Sequence, residues 1–321
     1  GFLIGFLVLT GAPAIAAQDQ PEWKSPHFTS HPLVGSVWSA DGNRSSLADL
    51  ERQATSAQFV LLGEIHTNPD HHRLQAELLE VMLEAGRRPA VVFEMIPASY
   101  QQPLDAFVAQ RPADAAGLGA SVDWEKRGWP HWAIYQPIAD AALAAGLPIR
   151  AGDLDRETIR AIGRKGRSAL VPAQEARLAL GDDFPEQASA SMKTILQQCH
   201  CTLLPEQAID PMILVQRARD GALAAAMTDA VAAGADGAVL IAGGGHTRRD
   251  LAVPRILEAR LPESRILAVA FIEVDEKLVS AEDYGVLELY DFVVFTPRAD
   301  LTDHCAELAE RMKMKPGQGS Q

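Results

Sequence analysis

Short runs of apolar residues recur along the chain and are separated by polar stretches. The runs are rich in valine, leucine, isoleucine and alanine, and they show little alternation of polar and apolar positions. Continuous aliphatic runs of this kind are typical of parallel strands that are buried on both faces of a sheet. The runs cover residues 59–62, 90–93, 147–151, 238–242, 266–274 and 292–295.

Helices are predicted between these runs. After the first run, Asn68 suits an N-cap, and Pro69 suits the first helical turn, where no amide donor is needed. Apolar residues follow from Leu74 at helical spacing, and Gly86 suits the end of the helix. Strands that alternate with helices predict an α/β fold with an open, mostly parallel sheet flanked by helices.

Two stretches, residues 99–132 and 156–228, interrupt this alternation. The second is helical in pattern and contains no convincing strand. We predict that both are helical insertions and that they form a smaller helical domain beside the sheet. The predicted order is an extended N-terminal arm (17–46), an α/β core (47–98, 133–155 and 229–298) and a C-terminal tail (299–321).

The beginning of the chain has the pattern of a secretory signal peptide. Residues 2–9 are almost entirely apolar, and a small-x-small site follows at residues 14–16. The apolar stretch is too short to span a bilayer as a helix. We therefore predict a signal peptide over residues 1–16, cut before Ala17, and a periplasmic or secreted protein. Because no cysteine lies near that cut, a lipid anchor is not expected there.

Charge and cysteine content narrow the possible functions. The chain has 29 Lys and Arg against 42 Asp and Glu, a formal net charge of -13, so nucleic-acid binding is not expected. Three cysteines are too few for a disulfide framework. In an exported protein we expect one disulfide between Cys305 and either Cys199 or Cys201. Metal binding by the Cys-His-Cys cluster around His200 is the alternative.

Carboxylates and histidines follow the apolar runs directly. Ligands of open α/β sheets bind beyond the carboxyl ends of the strands, so these side chains are expected on one rim. Two histidines with two or three carboxylates suit a divalent metal ion, or acid–base catalysis on bound water. The alternative is that each residue caps a helix or faces solvent. The residues are Glu64, His66, Glu94, Asp153 and His246.

Aromatic residues are concentrated in one short segment. It contains Trp124, Trp129, His131, Trp132 and Tyr135. One interpretation is a local aromatic core under a loop. The other is a flat wall for a planar ligand, with Tyr135 or His131 as an axial iron ligand.

Several segments, in order along the chain, resemble one known family. They are residues 61–66 (Leu-Leu-Gly-Glu-Ile-His), 93–95 (Phe-Glu-Met), 129–137, 216–220 (Gln-Arg-Ala-Arg-Asp) and 243–248 (Gly-Gly-Gly-His-Thr-Arg). These segments are similar to the ChaN family of haem-binding uptake proteins, in the superfamily of Tiki, TraB and erythromycin esterase. The resemblance covers residues 47–298.

The resemblance implies an exported protein that binds haem for haem or iron uptake. It implies a haem site often placed at a dimer interface, so a homodimer and an outer-membrane uptake receptor are expected partners. It also implies that a tyrosine binds the haem iron, and Tyr135 is the candidate by position, with His131 and Trp132 beside it. Arg217 and Arg248 are candidates for binding the haem propionates.

The same superfamily contains hydrolase-like members, which imply an alternative function. Their motif falls on Gly63, His66 and Glu94 here, and their late histidine corresponds to His246. The alternative is therefore an ester or amide hydrolase that uses Glu64 with these residues. A divalent metal ion would be its cofactor, unless the residues act by acid–base chemistry alone.

Overall fold

The computed structural model describes residues 22–313, so the predicted signal peptide lies outside the described residues. Within them, strands from both halves of the chain join in a single sheet. The strands are β1 (Val37–Ser39), β2 (Arg44–Ser45), β3 (Phe59–Glu64), β4 (Ala90–Pro97), β5 (Ile149–Asp153), β6 (Ala238–Gly243), β7 (Ile266–Glu273) and β8 (Phe292–Thr296).

The strand order is β2-β1-β8-β7-β3-β6-β4-β5. All six strands predicted from apolar runs pair in parallel with one another, which confirms the predicted α/β class. The two short strands β1 and β2 extend the β8 edge in antiparallel orientation, with Val37 opposite Val294. Part of the predicted extended arm is therefore a small hairpin of the sheet.

Helices cover both faces of the sheet. Asn68 caps α2 as predicted, since its side chain accepts from the backbone N–H groups of Asp70 and His71. Gly86, just after that helix, has a φ of 85°, a left-handed conformation that favours glycine. The helices are α1 (Leu47–Ser56), α2 (Pro69–Glu84), α3 (Gln101–Gln110), α4 (Ala115–Ser121), α5 (Gln136–Ala144), α6 (Arg156–Lys165), α7 (Pro172–Arg177), α8 (Glu186–Cys199), α9 (Glu206–Ala232), α10 (Val253–Arg260) and α11 (His304–Lys313).

Alternate residues of the central strand β3 point to different cores. Val60 and Leu62 belong to a large cluster with α1, α2 and α5. Phe59 and Leu61 belong to a second cluster with α9 and α10. Because successive strand residues face opposite sides of a sheet, the two clusters lie on its two faces. This double burial explains why the strands are continuous apolar runs.

The two helical insertions pack on different faces. Leu104 and Leu118 of the first insertion belong to the cluster with α2 and α5. Leu223 of the second belongs to the cluster on the opposite face. The second insertion also has a small core of its own, formed by Ile162, Leu178, Leu180 and Ala218. Residues 156–228, which we call the helical unit, thus pack on one face of the sheet, and the first insertion packs on the other.

A disulfide joins the second insertion to the C-terminal region. Cys201, after α8, is bonded to Cys305 in α11, and Cys199 is an exposed free thiol. This confirms the predicted bridge and identifies Cys201 as the partner. Across residues 22–313, no helix is both long and apolar enough to cross a membrane.

The carboxyl ends of β3 and β6 mark the place where the chain diverges to the two faces of the sheet, and we call this place the crevice. These strands are parallel neighbours, yet the helices that follow them, α2 and α10, pack on opposite faces of the sheet. The chain therefore diverges at the carboxyl ends of β3 and β6. Such a divergence point is where open α/β sheets bind ligands.

Candidate functional site

All five rim residues predicted from the strand ends lie at this crevice. Glu64 ends β3, Glu94 lies in β4, Asp153 ends β5, and His246 lies in a single helical turn after β6. They form two hydrogen-bonded groups, one around Glu64 and one around Glu94. His66 belongs to the first group and lies close to the second, because its ring and the Glu94 carboxylate both approach Gly243. A Cβ atom built on Gly243 would lie 3.2 Å from His66 Nε2 and 3.6 Å from Glu94 Oε2.

The Glu64 carboxylate is buried and lies within hydrogen-bond distance of four side chains. Its Oε1 accepts from the Tyr135 hydroxyl at 2.5 Å and lies 2.8 Å from His66 Nδ1. Its Oε2 accepts from Gln75 Nε2 at 2.7 Å and lies 3.0 Å from His72 Nδ1. Burial by itself would raise the pKa of Glu64, but His72 and His66 together hold it well below its ordinary value. Glu64 is therefore ionised at neutral pH.

His66 is the most accessible member of the two groups, with 31% of its side chain exposed. Its ring meets the ring of Trp129 edge-on at 5.0 Å between centroids. Burial would lower the pKa of His66, but the hydrogen bond to Glu64 and the charges of Glu94 and Glu64 outweigh it and raise that pKa. His66 is thus an oriented imidazole that holds its proton more tightly than a free histidine.

The second group is centred on the buried Glu94 carboxylate. Its Oε1 accepts from Arg219 at 2.7 Å and lies 3.3 Å from His246 Nε2. Its Oε2 accepts from the Gly243 backbone N–H at 2.7 Å. Arg219 also donates to Asp153 Oδ2, at 2.6 Å. Burial opposes ionisation of Glu94, but His246, His66 and Arg219 together lower its pKa well below the ordinary value.

His246 lies between two buried carboxylates. Its Nδ1 is 2.6 Å from Asp220 Oδ1, and its Nε2 faces Glu94. Burial would lower the pKa of His246, but the charges of Glu94 and Asp220 raise it to about 10. Burial also raises the pKa of Asp220, against the opposing effect of His246. The group therefore carries a buried imidazolium at neutral pH.

The aromatic segment forms mainly a core. Trp124 and Trp132 are buried, and the Trp132 indole donates to the Ala115 carbonyl. These two rings are therefore enclosed by the protein in this structure. His131 is 81% exposed and lies 3.5 Å from Glu125. Among the aromatic residues of this segment, Trp129 is the one that is partly exposed and also contacts a rim residue, His66.

Tyr135 differs most from its predicted role. Its side chain is fully buried, and its hydroxyl donates to Glu64. Burial, followed by the Glu64 charge, raises the pKa of Tyr135 well above its ordinary value, so the phenol remains protonated. In this conformation the Tyr135 hydroxyl donates to Glu64 inside the protein, and it is not accessible to an iron atom at the surface.

The arginines predicted for the propionates already have protein partners. Arg217 lies over the Phe184 ring, at 4.3 Å from its centroid, and donates to the Asp182 carbonyl. Arg248 makes a two-pronged ion pair with Asp250, at 2.6 and 2.9 Å.

Two further histidines, which the sequence analysis did not place in the site, are buried. His71 and His72 both lie under the rim, on the inner side of α2. His71 Nδ1 accepts from the Ile65 backbone N–H at 2.9 Å, and burial lowers the pKa of His71 to about 3. The spacing of His72 and Gln75, three residues apart on one helix, is the signal that places both on Glu64.

The carboxylates of the rim are occupied by protein donors. In the part of the chain that the structure describes, no three His, Cys, Asp or Glu side chains are arranged to hold a metal ion. Histidine, arginine, amide and phenol groups instead face the oxygens of Glu64 and Glu94. The geometry gives no support to the predicted divalent metal site.

Comparison with solved structures supports this fold through one of them, ChaN. The structure of ChaN of Campylobacter jejuni, described as cofacial haem binding, superposes with a TM-score of 0.61 at 20% identity, covering 80% of this chain and 95% of that one. A mutant of the erythromycin esterase EreC in its open conformation superposes with a TM-score of 0.49 at 12% identity, covering 84% and 99%. No curated protein sequence matches significantly.

The sequence family is established independently of these structures. The model of the haem-binding uptake family, Tiki superfamily, ChaN, matches residues 50–257. That range includes Glu64, His66, Glu94 and His246, and thus most of the rim. Because it spans more than half of the sequence, the chain belongs to the ChaN family of haem-binding uptake proteins.

Proposed function

We propose that this protein is an exported haem-binding protein that acts in haem or iron uptake. The observation that carries the proposal is the family match over residues 50–257, which spans the crevice between β3 and β6. The Cys201–Cys305 disulfide supports export, because disulfides persist mainly in oxidising compartments. An outer-membrane receptor is the partner proposed to deliver the haem.

The haem is proposed to bind at the mouth of the crevice. Ile65 is 39% exposed there, although it is a large apolar residue, and Trp129 covers one edge of His66. Exposed apolar surface beside an oriented imidazole suits a macrocycle whose faces are apolar and whose iron accepts a nitrogen ligand. Arg217 and Arg248 remain candidates for the propionates, each by exchanging its present partner.

His66 is proposed as the group nearest the iron. Glu64 holds its Nδ1, and such a partner orients a histidine ligand and raises its basicity. Binding of iron through the imidazole requires loss of the extra proton that Glu64 and Glu94 stabilise. Haem affinity should therefore increase as the pH rises through the pKa of His66. Tyr135 could replace His66 only after its hydroxyl leaves Glu64.

A homodimer is proposed for the haem-bound form. A haem at an exposed mouth keeps one face open to water, and a second copy of this chain would cover it. Light scattering coupled to size exclusion, with and without haemin, tests this point. The expected result is a doubling of mass on haemin addition, and a constant monomer mass with bound haem would contradict it.

Absorbance titration of the purified protein with haemin tests the proposed function. We expect a saturable shift of the Soret band with a defined end point. A spectrum that remains the sum of free haemin and protein at every ratio would contradict haem binding.

One observation favours a second candidate function, an ester or amide hydrolase. His66 is an accessible acid–base group backed by the buried Glu64, and it lies near Glu94 and His246. General acid–base catalysis uses histidines that are oriented in this way. Turnover of a p-nitrophenyl ester that is lost in His66→Ala, but kept in the exposed-site control His304→Ala, would support it. Equal rates in both variants would exclude it.

A further inference from the structure

A second pocket lies behind the rim, between the helical unit and α10. Its floor includes Asp220, and Arg217 and Arg255 lie on its walls. Asp182 and Asp183 also line it. The remaining lining residues are apolar: Ala179, Phe184, Leu251, Ile256 and Ala259. The pocket shares Arg217 with the residues proposed for the haem propionates, and it shares Asp220 with the hydrogen-bonded rim.

Asp220 brings an unpaired acceptor to this pocket. Its Oδ1 is bound to His246, but its Oδ2 is buried and has no hydrogen-bond partner among the described residues. The whole residue is only 1% exposed. Buried carboxylate oxygens are almost always satisfied, because an unmet acceptor costs free energy. A ligand with an ammonium or hydroxyl donor would satisfy it.

The two arginines bring positive charge to the same pocket. Arg217 donates to the Asp182 carbonyl at 3.2 Å, and Arg255 donates to the Asp183 carbonyl at 2.8 Å. One carbonyl satisfies only one of the five N–H donors of a guanidinium. Burial, then the nearby charges of Arg167 and Arg255, lower the pKa of Arg217. An anionic group between the arginines would relieve this repulsion.

We propose that this pocket binds a small zwitterion of the amino-acid type with an apolar side chain. The ammonium group would donate to Asp220 Oδ2, the carboxylate would lie against Arg217 and Arg255, and the side chain would contact Leu251 and Ile256. Asp220 is also hydrogen-bonded to His246 at the rim. A ligand bound in the pocket would therefore affect the rim through this shared carboxylate.

Calorimetric titration with L-leucine tests the proposal, with L-leucinamide and 4-methylpentanoate as analogues that lack the carboxylate or the ammonium group. We expect saturable binding of L-leucine and at least about tenfold weaker binding of each analogue, ~1.4 kcal/mol. No saturable binding of L-leucine, or equal binding of either analogue, would overturn the proposal. This test does not involve haemin, so its failure is separate from failure of haem binding.

Single substitutions test whether L-leucine binds in this pocket. Arg255→Gln should weaken L-leucine at least about tenfold, while leaving L-leucinamide unchanged. Ala259→Trp, at the exposed side of the pocket, should abolish binding of L-leucine by filling the space. The control Arg265→Gln lies at the other end of the sheet, where its side chain donates to the Ser56 carbonyl. Equal L-leucine affinity in wild type and Arg255→Gln would overturn the assignment.

Discussion

His246 Nδ1 lies 2.6 Å from Asp220 Oδ1, while its Nε2 lies 3.3 Å from Glu94 Oε1. The ring is thus enclosed by two carboxylates in a buried site. Because the ordinary pKa of 6.5 is raised to about 10, the folded protein binds this proton more tightly than the unfolded chain. The stabilisation is complete below about pH 6.5 and is lost as the pH rises through about 10.

The first prediction follows from this linkage. The unfolding free energy of the wild type should fall more steeply between neutral pH and pH 10 than that of His246→Gln. Urea unfolding at a series of pH values measures it, with the exposed-site variant His304→Gln as control. Parallel pH profiles for wild type and His246→Gln would show that His246 carries no raised pKa.

The second prediction concerns the close approach of β3 to the turn after β6. A Cβ on Gly63 would lie 2.2 Å from Thr247 Oγ1 and 2.9 Å from the Gly244 Cα. Gly63→Ala should therefore lower the unfolding free energy by about 1–3 kcal/mol. Gly245→Ala is the matched control, since its Cβ would meet nothing within 4 Å. Equal midpoints of denaturation for the two variants would contradict the packing described for Gly63.

The third prediction concerns the support of Glu64 by Tyr135. Tyr135→Phe removes the donor at 2.5 Å from a buried carboxylate, so the unfolding free energy should fall by about 1.5–3 kcal/mol. Tyr100→Phe should cost less, because the Tyr100 hydroxyl bonds a partly exposed Asp123 at 3.3 Å. Haemin should still shift the Soret band in Tyr135→Phe. A folded Tyr135→Phe protein that no longer binds haemin would make Tyr135 the iron ligand after all.

The fourth prediction concerns the C-terminal helix. The described side chains of α11 are mostly exposed, and the Cys201–Cys305 bond joins this helix to the rest of the protein. In Cys305→Ser, limited proteolysis should remove α11 early and leave the sheet domain intact. Cys199→Ser should be cleaved like the wild type, because that thiol is free. Mass spectrometry of the fragments distinguishes the two results.

The sequence predicted the architecture well, because double burial makes parallel strands visible as apolar runs. It also predicted which residues meet at the rim, since the carboxyl ends of parallel strands share one edge. The β1–β2 hairpin was missed because β1 and β2 are too short to show a strand pattern.

The contacts beneath the rim were not predictable from strand ends alone. His71 and His72 are polar, and burial of polar residues is the exception unless partners are present. Gln75 neighbours His72 within α2 itself, but Ile65 and Glu64 come close to the two histidines only when α2 packs against β3. The burial of Tyr135 has the same origin, since the aromatic segment packs between α2 and α5.

The central claim, haem binding at the mouth beside His66, is tested most directly by haemin titration of three proteins in parallel. These are the wild type, His66→Ala and the exposed-site control His304→Ala. The account predicts saturable Soret shifts of equal affinity for wild type and His304→Ala, and at least about tenfold weaker binding for His66→Ala. Equal affinity in all three proteins would contradict the account.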